Sequence, residues 1–145
     1  MTMRRYTLPI SLTLLIFCFT VTAGYDIIKN PFVAQYTMSR HNALQVFTLN
    51  AKYWSTGERI TVVLLPWSSF GHHEFVKTKL RIHPLEHRAR IEKAINQGNA
   101  TRYVKVRSEA EMIEKVKLIQ GAIGYSSAYA VMSDGDHINI IEVTD

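Results

Sequence analysis

Cysteine is almost missing from this chain: Cys18 is the only one in 145 residues, so no disulfide can form within it. Charge of one sign is never concentrated. Lys and Arg (17) outnumber Asp and Glu (12), yet no run of basic residues exceeds two. Binding to a phosphate backbone needs a concentrated basic face, so a nucleic-acid role is excluded. Glycine (7) and proline (4) are sparse and scattered, and neither a low-complexity linker nor an internal repeat is present. Missing too are a glycine-rich nucleotide loop, an assignable Ser/His/Asp triad and a paired carboxylate site. These absences point away from an enzyme, and no cofactor is expected.

What is present begins with a leader. Arg4 and Arg5 form a basic start, and Leu8 to Val21 is apolar and nearly uncharged. The run is short for a membrane span, which needs about 20 residues. Val21-Thr22-Ala23 offers the small and β-branched residues of a signal-peptidase site. Residues 1–23 therefore read as a signal peptide cleaved between Ala23 and Gly24, although the same run could stay as an uncleaved anchor. A lipoprotein site at Cys18 is disfavoured by Phe17, which is bulky where a small residue is required. Cleavage removes the one thiol and takes the formal charge from +5 to +3. It leaves roughly 120 residues, enough for one modest core. Export of a chain without disulfides fits a bacterial periplasm.

The mature part, residues 24–145, reads as one α/β domain organised around Val106–Tyr125. Ser108 and Glu111 have the spacing of a capping box, in which the carboxylate reaches back to the cap's own N–H. Met112, Ile113, Val116 and Ile119 recur at helical spacing, with a Glu111–Lys115 ion pair outside. Gln120-Gly121 ends the helix, and Ala122–Tyr125 is extended. Strand, capped helix and strand form the unit that builds parallel sheets. Upstream, Tyr25–Lys29 is a first strand stopped by Asn30-Pro31. Ser39 caps a helix over Arg40–Thr48, with Ala43, Leu44 and Phe47 on one face. Trp54 packs beneath a connection over Ala51–Glu58. Ile60–Leu65 is the most apolar β-branched run and the expected buried strand, ended by Pro66. Two helices follow, one over Gly71–Leu80 and one from Pro84 to about Gln97 with His83 as its cap. Tyr103–Val106 leads into the organising unit. Ser133-Asp134-Gly135-Asp136 is a turn and His137–Val143 a closing strand.

Several landmarks then align in one order. They are Val46-Phe47, Trp54, Gly57, the Ile60–Leu65 strand with Pro66, Ser-rich residues entering a helix, and Ser108-Glu109-Ala110-Glu111-Met112 leading into Gly121-Ala122-Ile123-Gly124-Tyr125. The order resembles the phosphate-type branch of the periplasmic solute-binding proteins of the type 2 fold, and Asn30-Pro31 resembles the close of the first strand in short members. The likeness spans about Tyr25 to Val143. It implies a single binding-protein-like lobe with a mostly parallel sheet flanked by helices, and a small oxyanion such as phosphate as ligand. Two departures stand out. Leu49 occupies a place where the family usually has glycine. Trp67-Ser68-Ser69-Phe70-Gly71 stands where phosphate-binding members carry a Ser-Gly-Thr loop.

Ser68, Ser69 and Gly71 are accordingly the candidate ligand residues, because free amides and the macrodipole at a helix start attract anions. Plain N-capping explains the serines equally well. His83-Pro84-Leu85-Glu86-His87 spells an inverted zinc-protease motif, but Pro84 makes His83 a cap and takes it off the helix face. His72 and His73 point about 100° apart and read as a solvated pair, not a chelate. Ser126-Ser127 reads as a turn or cap. The expectation is an exported, non-enzymatic lobe that binds an oxyanion weakly; the alternative is an accessory module that has lost its ligand and docks on a membrane transporter or sensor.

Overall fold

The structure, a computed structural model, describes residues 24–133 and 138–145. The leader and most of the Ser133–Asp136 turn lie outside the described residues. The described residues form six strands and five α-helices, one of them continued by a π-helical stretch. The strands are β1 (Tyr25–Lys29), β2 (Thr37–Ser39), β3 (Thr61–Leu64), β4 (Arg102–Lys105), β5 (Ala122–Ser127) and β6 (Asn139–Thr144). They form one sheet in the order β2-β6-β1-β5-β3-β4. Three of its five pairings are parallel, β2–β6, β3–β4 and β3–β5. β1 runs antiparallel to both neighbours, with Ile27 opposite Tyr125 on one side and Ile141 on the other.

β3 is buried along its whole length, as an apolar β-branched run between two parallel neighbours should be. β4 and β5 flank it, so the crossover helix α4 (Glu109–Leu118) bridges over β3 to return the chain parallel. Met112, Ile113 and Val116 are the buried stripe of α4, whereas Ile119 is an extended, half-buried cap. Ser108 Oγ accepts the Glu111 N–H at 3.2 Å, as expected. The return contact differs: Glu111 takes the amide of Arg107 at 2.8 Å, not that of Ser108. The extended Ser108 backbone (φ −146°, ψ 164°) leaves the preceding amide as the donor in reach. No Glu111–Lys115 ion pair occurs among the described residues.

Alternation along β5 sorts the helices onto two faces. Gly124 faces α4 so closely that a Cβ there would lie 2.4 Å from Met112 Sδ. Tyr125, next along, faces the opposite layer, where its ring stacks on Phe75 at 4.0 Å and meets the edge of Phe47 at 5.9 Å. That layer is built from α1 (Arg40–Phe47), capped by Ser39 as expected, and α2 (Phe70–Phe75). The helix expected over Gly71–Leu80 is not uniform: after Phe75 it widens into a π-helical stretch, Val76–Leu80, closed by Arg81 at φ 54°. Then α3 (Pro84–Asn96) follows with Pro84 in its first turn and His83 Nδ1 accepting the Leu85 N–H. A short α5 (Ala128–Ser133) follows β5. Trp54 is buried beneath its connection and donates its indole N–H to the Gly121 carbonyl at 3.0 Å. β2 is an addition: its three residues, Thr37–Ser39, pair with β6, a strand too short to carry a periodic signal.

Candidate functional site

In parallel α/β sheets ligands gather outside the carboxyl ends of the strands. Here that edge collects the Pro66–Gly71 loop after β3, Ser108-Glu109 after β4, and Ser126-Ser127 at the end of β5. Ser69 is the N-cap of α2: its Oγ accepts from His72 N at 3.2 Å and donates to the Pro66 carbonyl at 2.8 Å. Its hydroxyl proton is therefore already used. Gly71 is buried against β1, and a Cβ there would sit 2.7 Å from the Tyr25 hydroxyl. Glycine at 71 lets α2 pack on the strand. Ser68 is exposed and lies beside a pocket of about 450 Å³. The three residues thus adjoin one turn with three different surroundings.

Glu109 is the first residue of α4. One oxygen takes the Tyr25 hydroxyl at 2.6 Å. The other takes Ser126 Oγ at 3.1 Å, Ser127 N at 3.0 Å and Ser127 Oγ at 2.7 Å. Burial works to raise its pKa, but the hydrogen bonds from Tyr25, Ser127 and Ser126 outweigh it and hold the carboxyl below its ordinary value. Ser127 also caps α5 through Ala130 N, as expected of this serine pair. Burial and the Glu109 bond push the Tyr25 phenol well up. Nothing local in the sequence announces this cradle, because its members lie on two strands and a helix.

The pocket lies between α2, its π-helical extension and α3. Ser68, His72, Lys77 and Arg88 line it together with Trp67 and Leu85. No carboxylate is among its lining residues. Arg88 binds Glu92 through Nε at 2.8 Å. Arg88 Cζ and Lys105 Nζ stand 6.0 and 5.7 Å from the Trp67 ring centroid.

The histidines correct one expectation, that of a solvated His72–His73 pair. His72 is not solvated; it is 1% exposed, with Nδ1 2.7 Å from the Tyr125 hydroxyl. His73 is half-buried and its Nε2 meets the Trp67 carbonyl at 2.8 Å. The turn of helix wedged between Trp67 and the sheet buries the His72 ring and leaves His73 half-covered. In the H-x-x-E-H stretch, His83 is an exposed cap, while His87 is buried with Nε2 2.9 Å from the Phe47 carbonyl. Glu86 pairs with Arg90 at 2.6 Å. Burial and the nearby His87 and His73 lower the His72 pKa to about 3, and burial lowers that of His87 to about 4. Among the described residues no group of three or more His, Cys, Asp or Glu is placed to hold a metal ion.

The chain has an α/β binding-protein-like fold: a mostly parallel six-stranded sheet with helices on both faces. Solved structures share it. PstS from Borrelia burgdorferi superposes with a TM-score of 0.62 at 21% identity, covering 84% of this chain and 49% of that one. An ABC-type phosphate transport receptor from Vibrio cholerae gives 0.61 at 16% identity, covering 84% and 47%. A possible phosphate binding protein from Planctomyces limnophilus gives 0.56 at 15%, covering 84% and 42%. The chain therefore spans about half the length of these neighbours. No family model and no curated protein matches the sequence.

Proposed function

We propose that this chain is an exported, non-enzymatic solute-binding-type lobe that holds a small oxyanion of the phosphate class weakly at the Ser68, Ser69 and Gly71 turn. One observation carries the reading: Ser68 borders a pocket that Lys77 and Arg88 also line, without a carboxylate in the lining. The Ser68 hydroxyl and the first amides of α2 supply donors, and Ser69 holds the turn in shape. Likeness to solved phosphate receptors supports the same chemistry. Binding is weak because one lobe leaves the anion facing water, where each charge contact is screened. In this reading residues 1–23 are a signal peptide, cleavage falls at Ala23–Gly24, and residues 24–145 work in a bacterial periplasm.

Glu109 favours a second reading, an accessory module docking on a membrane transporter or sensor. Its carboxylate already takes the donors of Tyr25, Ser126 and Ser127, and Tyr25 in turn abuts Gly71. A fixed negative charge beside the turn opposes a ligand anion. A thermal shift separates the two. An anion bound to the native state at 100 times its Kd stabilises by about 2.7 kcal/mol. Low-millimolar phosphate, against chloride at matched ionic strength, should raise Tm slightly, and Ser68→Ala with Ser69→Ala should abolish the rise. No rise with any oxyanion would leave the accessory module standing.

A further inference from the structure

The pocket beside Ser68 is larger and more apolar than a bare oxyanion requires. Its volume of about 450 Å³ falls in the range of small-molecule sites, typically about 300–1,000 Å³. Trp67 and Pro84 line it with Leu85, whose side chain is 70% exposed. Lys77 and Arg88 set positive charge on the same walls.

A separate observation comes from His72, which lines the pocket yet is 1% exposed, with Nε2 lacking any hydrogen-bond partner. Its tautomer follows from its neighbours. The Leu65 amide donates to the Tyr125 hydroxyl at 3.0 Å, so that hydroxyl's own proton is available for His72 Nδ1 at 2.7 Å. Nδ1 is then the acceptor and Nε2 carries the ring proton. A buried donor left without an acceptor is costly, and a ligand is one way to satisfy it; His87 Nδ1, in a ring 5.2 Å away, is a second buried nitrogen without a partner. The Trp67 ring lies 5.1 Å away, centroid to centroid, as the neighbour whose movement would admit an acceptor.

We infer that the pocket takes an aryl oxyanion, a flat apolar ring bearing a phosphate-like group. The ring lies against Trp67 and Leu85, and the charged group faces Lys77, Arg88 and Ser68. A ligand oxygen accepts the His72 Nε2 proton. The inference rests on the oxyanion reading for its charged end and adds the ring.

Calorimetric titration of the full chain tests it with phenyl phosphate, inorganic phosphate and benzyl alcohol at matched ionic strength. Phenyl phosphate should bind at least tenfold tighter than either of the others. Lys77→Gln with Arg88→Gln should weaken phenyl phosphate at least tenfold, and Leu85→Ser should bring it towards inorganic phosphate. The His72 Nε2 resonance should move on binding. Equal affinity for phenyl and inorganic phosphate would refute the ring while keeping the oxyanion reading. Phenyl phosphate binding insensitive to the charge variants, or leaving His72 unmoved, would place the ligand elsewhere and overturn the inference. Binding of neither phosphate would sink both readings.

Discussion

His72 and His87 lie with ring centroids 5.2 Å apart and are held neutral by burial. Unfolding returns each to an ordinary imidazole pKa of about 6.5, so the unfolded chain binds more protons wherever the pH lies below that value. The stability from their neutral forms is therefore complete above about pH 6.5. It is lost progressively as pH falls from there to the folded values of about 4 and about 3, below which the loss is complete. Urea midpoints should fall by an amount worth several kcal/mol between pH 7 and pH 4, and His87→Gln should flatten the slope. A pH-independent midpoint over that window would contradict the burial described. The sequence showed the residue types here but not their surroundings, and an adjacent His-His pair reads as solvated until Trp67 is seen to cover it. Leu49 is the opposite case. Its departure from the glycine that the resemblance leads one to expect was legible, and the structure gives it meaning: φ is 65°, a left-handed conformation costing about 1–2 kcal/mol for a side chain, offset by complete burial of the leucine.

Among the elements, α4 was the most legible. Its cap, stripe and terminating glycine are local signals, and all three appear: Ser108 at the cap, Met112, Ile113 and Val116 buried, and Gly121 at φ 76°. Ile113→Ala should destabilise by about 2–5 kcal/mol through lost burial and a cavity. Ser108→Ala should cost less, roughly 0.5–2 kcal/mol, through one unsatisfied amide. Urea melts returning the reverse order would mean that α4 is not docked through this stripe. α2 was harder to read. Its apolar residues fit a regular helix, and nothing local in them marks the wider turn over Val76–Leu80, where Val76 and Leu80 are both buried before Arg81 reverses the chain. Glu109 illustrates the same limit. A first-turn acid is ordinary helix chemistry, and its partners Tyr25, Ser126 and Ser127 are 84, 17 and 18 residues away in sequence.

For the whole molecule, protection should follow the sheet order. β1 and β5 have partners on both sides, whereas β2 and β4 are edges. Native-state hydrogen exchange should find the slowest amides in β1, β5 and β3 and faster ones in β2 and β4. Fast exchange at Ile27 or Ile123 would contradict the interior position of those strands. The sequence by itself determined the α/β class, the helix caps, most strand positions and the parallel crossover around β3, because caps, glycines and apolar periods act over a few residues. Only the tertiary structure decided that β1 runs antiparallel between β5 and β6, since pairing partners far apart in sequence leave no local trace. It alone brought Glu109 to Tyr25 and the two serines, buried His72 and His87, and set Ser68 beside Lys77 and Arg88. Those juxtapositions depend on which face of each strand and helix meets another, and that is settled by packing rather than by any one segment.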